Sequence, residues 1–223
     1  MRINIAIDGP SAAGKSTISK RLAEKLSYVH LDTGAMYRCT ALKAVQNGIA
    51  LDDEEAVCDM LKNTEIRMTP AGDVFLDGKD VSDAIRTDEI SLAASDVSKL
   101  KNVRRDLVLR QQEMAKEKGF IMDGRDIGTV VLKDAEVKIY MTASARARAE
   151  RRYKQNIEKG IPTSDIDTIE KEIAERDYQD MHRENSPLTK AEDAVEIDTS
   201  YMSIEEVTDT IYALAEPFLN QEG

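Results

Sequence analysis

The stretch GPSAAGKST, Gly9 to Thr17, decides the fold because it fits the phosphate-loop pattern G-x-x-x-x-G-K-[ST]. An apolar run at residues 3–8 precedes it, which is typical of a buried parallel strand. Ile18, Leu22 and Leu26 follow at four-residue intervals, which indicates the apolar face of a helix. The motif needs a strand before it and a helix after it, so the sequence predicts a phosphate-binding loop here.

The residue types in this loop suit a nucleotide phosphate. Gly9 and Gly14 let the backbone turn tightly and point N–H groups inward. The helix that begins near Lys15 adds its positive end, Lys15 can reach the β- and γ-phosphates, and the Ser16 hydroxyl can bind Mg²⁺. We expect ATP to contact Gly9, Pro10, Ser11, Ala12, Ala13, Gly14, Lys15, Ser16 and Thr17.

The rest of the chain alternates strands with helices, which predicts a parallel sheet covered on both faces. Further strands are predicted at residues 28–31, 120–122, 137–141 and 194–197. Helices are predicted at 35–47, 102–118 with Asn102 as cap, 143–158, 166–184 and after the capping box at 203–206. The predicted fold class is α/β, a five-stranded parallel sheet of the P-loop NTPase type.

Residues 62–90 interrupt this alternation. Two short apolar segments, 65–68 and 74–77, flank Pro70-Ala71-Gly72-Asp73, a pattern that predicts a hairpin with a turn. A hairpin between helices is out of place in a βαβ chain, so we interpret this segment as an insert with a small antiparallel sheet.

Composition excludes several classes of protein. The net charge is −11, from 31 basic and 42 acidic residues, which argues against general nucleic-acid binding. No run of about 20 apolar residues predicts a membrane span, and the N-terminus enters a strand without an apolar signal segment. Cys39 and Cys58 lack zinc-ligand spacing and predict reduced thiols in a cytoplasmic protein. The acidic surface favours a monomer.

Asp123 ends a predicted buried strand, where a carboxylate can support Mg²⁺ beside a phosphate loop. The alternative is an Asp that caps a turn. Gly124-Arg125-Asp126 follows directly and favours the functional interpretation. Asp32-Thr33-Gly34 follows the second strand in the same way, so both loops are expected to line one crevice at the carboxyl ends of the strands.

Arginines are the candidates for holding an acceptor that itself carries phosphate. Arg176, Asp180 and Arg183 have the spacing of one helix face, although a solvated charge stripe has the same spacing. Residues 143–159 carry several arginines before Gly160-Ile161-Pro162 and predict a mobile flap, or alternatively a basic surface helix. The candidates are Arg38, Arg104, Arg125, Arg152, Arg176 and Arg183.

Five motifs together resemble the bacterial cytidylate kinases, a family of nucleoside monophosphate kinases. They are IAIDGPSAAGKST (5–17), LDTGAMYR (31–38), ASDVSKLKNVR (94–104), MDGRDIGTVV (122–131) and ERDYQDMHRENSPL (175–188). The first is common to many phosphate-loop proteins, whereas DTGAMYR, DGRDIGTVV and RDYQDMHR are specific in combination. The resemblance extends over nearly the whole chain.

The resemblance implies phosphoryl transfer from ATP to CMP or dCMP, with Mg²⁺. It places the acceptor phosphate at Arg38 and Arg125, and cytosine at Ser95, Arg104 and Asp126. Thr33 would lie beside the acceptor, where the family often has Ser. Asp180 and Arg183 would face the sugar, while Lys15, Arg125, Arg152 and Arg176 would serve catalysis. Relatives often have Lys-Gly-Thr at the end of the phosphate loop, so the roles of Ser16 and Thr17 stay open.

The resemblance also implies the domain organisation. We expect a single kinase domain over 1–223, with its core at about 1–34, 100–144 and 185–223. The monophosphate-binding region would occupy about 35–99, with the insert at 62–90, and the lid about 145–165.

Three other functions are compatible with a phosphate loop. The first is a kinase for another nucleotide or small metabolite. Arg38, Arg125 and Asp126 argue only against a neutral acceptor. A guanine-nucleotide switch needs an N/T-K-x-D element, and the nearest run, 189–192, ends in Glu. A ring motor needs an arginine from a neighbour, whereas this chain carries its own.

Overall fold

The computed structural model describes residues 1–69, 72–158 and 160–220 of the chain. Two compact units make up the protein. The terminal unit comprises Met1–Tyr28 and Lys118–Gly223, and the middle unit comprises Val29–Glu117.

Strands and helices alternate along much of the chain, as the sequence predicts. The strands are β1 (Ile5–Asp8), β2 (Val29–Asp32), β3 (Ile66–Met68), β4 (Val74–Leu76), β5 (Lys79–Asp80), β6 (Phe120–Gly124), β7 (Val137–Thr142) and β8 (Val195–Asp198). The α-helices are α1 (Lys15–Leu26), α2 (Thr33–Gln46), α3 (Glu54–Lys62), α4 (Asp88–Val97), α5 (Lys101–Ala115), α6 (Ala145–Glu158), α7 (Ile166–His182) and α8 (Ile204–Leu219). Single turns of 3₁₀ helix (Ala84–Arg86) and π-helix (Ile127–Val131) complete the described secondary structure.

The main sheet has five strands in the order β2-β6-β1-β7-β8, and it confirms the predicted α/β fold class. Strand β1 is central, with Ile5 in register with Ile121 of β6 and Val137 of β7, both in parallel orientation. All four residues of β1 are buried, as expected for a strand covered on both faces. The phosphate loop therefore begins at the carboxyl end of the most protected strand.

Apolar side chains hold the terminal unit together. Ile5, Ile7, Ile18 and Leu22 pack in one cluster with residues from β6, β7, β8 and α8. Helix α8 begins with the predicted capping box, since the Ser203 hydroxyl accepts from the Glu206 N–H at 3.2 Å and the Glu206 carboxylate accepts from the Ser203 N–H. A smaller cluster, with Ala149, Ile169 and Ile173 buried, packs α6 against α7.

Helix α6 corresponds to the predicted flap. It begins at Ala145 rather than at residue 143, and the break that follows contains Gly160 with φ of +65°. Asp165 caps α7 by accepting a hydrogen bond from the Thr168 N–H. Lys159, the last residue of the predicted flap, lies outside the described residues. Motion of the flap stays a prediction.

The middle unit is built on helix pairs and carries the small sheet. Helix α2 packs against α4, and α3 packs against α5. The predicted hairpin is present as β3 and β4, and β5 adds a third antiparallel strand. Gly72 of the predicted turn has φ of +93°, whereas Pro70 and Ala71 lie outside the described residues.

One cap prediction is wrong. Helix α5 begins at Lys101 with Leu100 at the N-cap, so Asn102 lies inside the first turn. The Asn102 side chain and its backbone N–H instead donate to the Glu54 carboxylate, at 3.0 and 2.6 Å. The Glu54 carboxylate thus provides the hydrogen-bond acceptor that the sequence predicted Asn102 to provide. Among the described residues, no helix combines the length and hydropathy needed to cross a bilayer.

Candidate active site

The phosphate loop joins β1 to α1 through backbone that requires small residues. Gly9 has φ of +151°, and a Cβ atom there would lie 2.1 Å from the carbonyl oxygen of Met141. Gly14 adopts the left-handed conformation immediately before α1, as does Ala12 at φ of +59°. These conformations bring successive N–H groups round a concave turn at the positive end of α1, where an anion is stabilised.

Lys15 folds back over this loop. Its ammonium donates to the carbonyl oxygens of Gly9 and Pro10, at 2.8 Å each, and the residue is 6% exposed. Burial, followed by the positive charge of Arg125, lowers the pKa of Lys15 to about 7. A negative charge near the ammonium would oppose this effect, because it favours the protonated form.

The two predicted metal ligands lie in contact. The Ser16 hydroxyl donates to a carboxylate oxygen of Asp123 at 2.8 Å. Asp123 is buried near the end of β6, whereas Thr17 is exposed on α1. A hydroxyl beside a carboxylate fits Mg²⁺, which prefers oxygen donors. The contact favours Ser16 over Thr17 for that role.

Asp8 is a site residue that the sequence analysis missed. Its carboxylate, at the end of β1, accepts from the N–H groups of Ile127 and Gly128 at 2.7 Å each. Burial raises the pKa of Asp8 to about 6, against the opposing effect of those two hydrogen bonds. Asp8 thereby ties the strand before the phosphate loop to the loop that carries Arg125 and Asp126. Its position directly before Gly9 was the available signal.

Arg125, Asp180 and Arg183 come together in the terminal unit. Arg125 Nε donates to Asp180 Oδ2 at 2.7 Å, and Arg183 Nη1 lies 3.9 Å from the other carboxylate oxygen. Burial opposes ionisation of Asp180, but the charges of Arg125, Arg183 and Arg176 outweigh it, so its pKa lies below the usual range. Asp180 thus stays anionic and balances Arg176 on α7, Arg183 directly after α7 and Arg125 directly after β6.

The remaining terminal-unit candidates occupy different settings. Asp126 is buried just before the π-helical turn, and its carbonyl accepts from the N–H of Val130. Arg152 is half-buried on α6 and Arg176 is half-buried on α7. Arg148, missed as a candidate, donates to the carbonyl of Ser11 in the phosphate loop.

The middle unit holds the other four candidates. Thr33 is buried in the first turn of α2, Arg38 follows on the same helix, and Ser95 is half-buried on α4. Arg104 is buried on α5, with its guanidinium 5.4 Å from the centre of the Tyr37 ring. Arg104 Nη1 also donates to the Ser98 carbonyl at 3.2 Å, three residues beyond Ser95.

Comparisons with known proteins agree along the whole chain. A family model described as cytidylate kinase matches residues 5–217. A cytidylate kinase of Geobacillus sp. (strain WCH70) is 54% identical over 212 residues, 94% of each chain. One from Bacillus subtilis (strain 168) is 51% identical over 218 residues, 96% of this chain and 97% of that protein.

Solved structures support the fold alone, because the identities are low. A shikimate kinase from Bacteroides thetaiotaomicron has a TM-score of 0.52 at 12% identity and covers 97% of this chain and 99% of its own. The shikimate kinase from Acinetobacter baumannii, solved with shikimate, has a TM-score of 0.50 at 16% identity, with coverage of 99% and 97%.

Proposed function

Because the chain belongs to the cytidylate kinase family, we propose that it transfers the γ-phosphoryl group of ATP to CMP or dCMP. The products are ADP and CDP or dCDP. The observation that carries the proposal is the phosphate loop with Lys15 folded over it and Ser16 hydrogen-bonded to Asp123. These residues occur in a chain that matches the family over residues 5–217.

ATP is the proposed donor, held by the loop from Gly9 to Thr17. Backbone N–H groups cradle the phosphates, and Lys15 exchanges its two carbonyl partners for phosphate oxygens. Ser16 and Asp123 would hold Mg²⁺, which neutralises phosphate charge when bound. Asp123 then acts as a metal ligand and not as a base.

CMP or dCMP is the proposed acceptor. In the middle unit, Arg38 binds its phosphate, Ser95 and Arg104 recognise cytosine, and Thr33 lies beside the nucleotide.

In the terminal unit, Arg125 also binds the phosphate, Asp126 contributes to cytosine recognition, and Asp180 and Arg183 face the sugar. Guanidinium groups suit the phosphate because they form paired, charge-assisted hydrogen bonds to its oxygens.

The transfer itself requires position and charge rather than covalent catalysis. An oxygen of the acceptor phosphate attacks the γ-phosphorus, and the bond from that phosphorus to the bridging oxygen of ADP breaks. The acceptor phosphate is already a nucleophile, so the reaction needs no general base from the protein. Lys15, Arg125, Arg152 and Arg176 stabilise the charge that spreads over the moving group, and a closed lid excludes water.

Cytosine preference follows from hydrogen bonding. Cytosine has an N4 donor with acceptors at N3 and O2, and Asp126 and Arg104 supply an acceptor and donors. Uracil presents a donor at N3 and an acceptor at O4, so it leaves polar groups mispaired. Each such buried group costs roughly 1–3 kcal/mol, which predicts a preference and not an absolute barrier.

ADP release measured with CMP, dCMP, UMP, AMP or no acceptor tests the proposal. We expect fast turnover with CMP and dCMP, slower turnover with UMP, and little with AMP or without acceptor. Lys15→Ala is the control and should abolish turnover while the circular dichroism spectrum is unchanged. Equal rates with and without acceptors would instead indicate a nucleotide hydrolase or switch.

We propose that the enzyme works as a cytoplasmic monomer that binds neither membrane nor nucleic acid. Both cysteines are unbridged, and burial raises the pKa of Cys39 to about 12, so its thiol stays protonated. Light scattering coupled to size-exclusion chromatography tests the monomer, with a mass of 24.8 kDa expected.

A further inference from the structure

Asp32 makes two separate contacts at the start of α2. Its Oδ1 caps the helix by accepting from the Ala35 N–H at 3.1 Å. Its Oδ2 accepts from Arg38 Nη2 at 2.6 Å, and the two side chains are only 18% and 19% exposed. The Asp32 carboxylate thus caps the start of α2 and also holds one side of the Arg38 guanidinium.

Gly34 makes room for this ion pair. A Cβ atom at Gly34 would lie 3.1 Å from Arg38 Nη1 and 3.1 Å from Asp32 Oδ1. Both distances are tighter than an ordinary carbon contact, so a methyl group in that position would require the ion pair to shift by a few tenths of an ångström.

Arg38 retains a buried donor after pairing with Asp32. Its Nε atom is buried and has no hydrogen-bond partner among the described residues. Leaving a buried donor without an acceptor is unfavourable, so a guanidinium in this state is suited to an incoming oxyanion. Burial opposes ionisation of Asp32, but the charges of Arg38 and His30 outweigh it and its pKa lies below the usual range.

We infer that Asp32 is a positioning residue, which holds the Arg38 guanidinium in the orientation that receives the acceptor phosphate. The inference rests on the proposed function, since it assumes that Arg38 binds the phosphate of CMP. Asp32 does not contact the nucleotide in this account, and Gly34 acts only by leaving the ion pair undistorted.

Asp32→Asn separates the two contacts of Asp32. Asparagine keeps an oxygen that can accept from the Ala35 N–H, but it removes the negative charge opposite Arg38. Asp53→Asn is the matched control, because Asp53 caps α3 in the same way, accepting from the Ala56 N–H at 3.0 Å. Gly34→Ala is a second variant that disturbs the pair without removing either partner.

Calorimetric titration with CMP and with cytidine, which lacks the phosphate, gives the decisive comparison. Asp32→Asn should raise the Kd for CMP about tenfold while the Kd for cytidine changes less than about twofold, the size expected when one charge-assisted hydrogen bond is lost. Gly34→Ala should show the same selective loss, and Asp53→Asn should show neither. Equal weakening of CMP and cytidine would indicate a merely structural role, and unchanged or tighter CMP binding would also overturn the inference.

The proposed function and the positioning role of Asp32 can be disproved separately. If the wild-type enzyme does not phosphorylate CMP, the proposed function is wrong. If it does, and Asp32→Asn binds CMP as the wild type does, only the positioning role is wrong. Should Asp32→Asn fail to fold, the CMP and cytidine affinities of Gly34→Ala decide the question.

Discussion

Asp177 lies 2.6 Å from the Arg148 guanidinium, and this buried ion pair joins α7 to α6. The other nitrogens of Arg148 donate to the Ala143 carbonyl at 2.9 Å and to the Ser11 carbonyl at 3.0 Å. One guanidinium therefore ties α6, the helix of the predicted flap, both to α7 and to the phosphate loop. Arg152 and Arg176 lie on those helices, so their placement depends on this pair.

Arg148→Met should destabilise the protein strongly. Removing one partner of a buried ion pair leaves Asp177 uncompensated, which costs about 3–5 kcal/mol. Urea unfolding measures the loss, and the KM for ATP should rise because Ser11 loses its donor. Arg146→Met is the matched control on the same helix, since the Arg146 ion pairs with Glu150, Asp167 and Glu170 are exposed and should contribute little. Similar losses for the two variants would contradict the role given to Arg148.

Ser16→Ala and Thr17→Ala should differ in their response to Mg²⁺. Ser16 contacts Asp123 and Thr17 is exposed, so only Ser16→Ala should raise the Mg²⁺ concentration that gives half-maximal activity. We expect a shift of about tenfold or more, since loss of a contact that only supports a metal ligand already costs about that much and Ser16 is a proposed ligand. Asp123→Asn should behave like Ser16→Ala. A larger shift for Thr17→Ala would assign the metal to the other hydroxyl.

Asp126→Ala should weaken the binding of CMP without weakening the binding of ATP. Asp126 is 5% exposed, and we propose that its carboxylate accepts from the cytosine amino group. The KM for CMP should rise by about one to two orders of magnitude, and discrimination against UMP should fall. Steady-state kinetics with each substrate varied checks this, with the exposed Asp134→Ala as control. Equal increases in the KM values for CMP and ATP would count against base recognition.

Asp8 should give the stability of the protein a distinctive dependence on pH. Its pKa of about 6 in the folded protein lies above the ordinary 3.8, so the folded state binds this proton more tightly than the unfolded chain. The contribution of Asp8 is therefore largest below pH 4 and declines as the pH rises to 6, by up to about 3 kcal/mol.

Asp8→Asn removes this titration, because asparagine has no proton to lose in that range. The difference in unfolding free energy, wild type minus Asp8→Asn, should fall between pH 4 and 6 and be level above pH 7. Chemical denaturation at each pH measures it. A difference that is the same at every pH would show that the Asp8 carboxyl does not titrate as stated.

The sequence predicted the parts of the protein that depend on local pattern. The loop between β1 and α1 follows from glycine positions and apolar spacing, and the capping box at Ser203 and Glu206 follows from two residues three apart. Asp123 was found because it ends a strand. These features involve neighbours in sequence, so the residues that define them are visible together.

Long-range contacts could not be predicted in the same way. The bond from Asp8 to Gly128 spans 120 positions, and that from Arg148 to Ser11 spans 137. The prediction that Asn102 caps α5 was wrong because the carboxylate of Glu54, 48 positions away, supplies a stronger acceptor. Arg148 itself has the same appearance in sequence as the exposed Arg146, and only burial separates their roles.

Transfer of radiolabel from γ-³²P-ATP tests the central claim most directly. With CMP present, we expect the label to appear in CDP in equal amount to the ADP formed, and to stay in ATP when CMP is omitted. Label that appears as inorganic phosphate at the same rate with or without CMP would contradict phosphoryl transfer to a pyrimidine monophosphate.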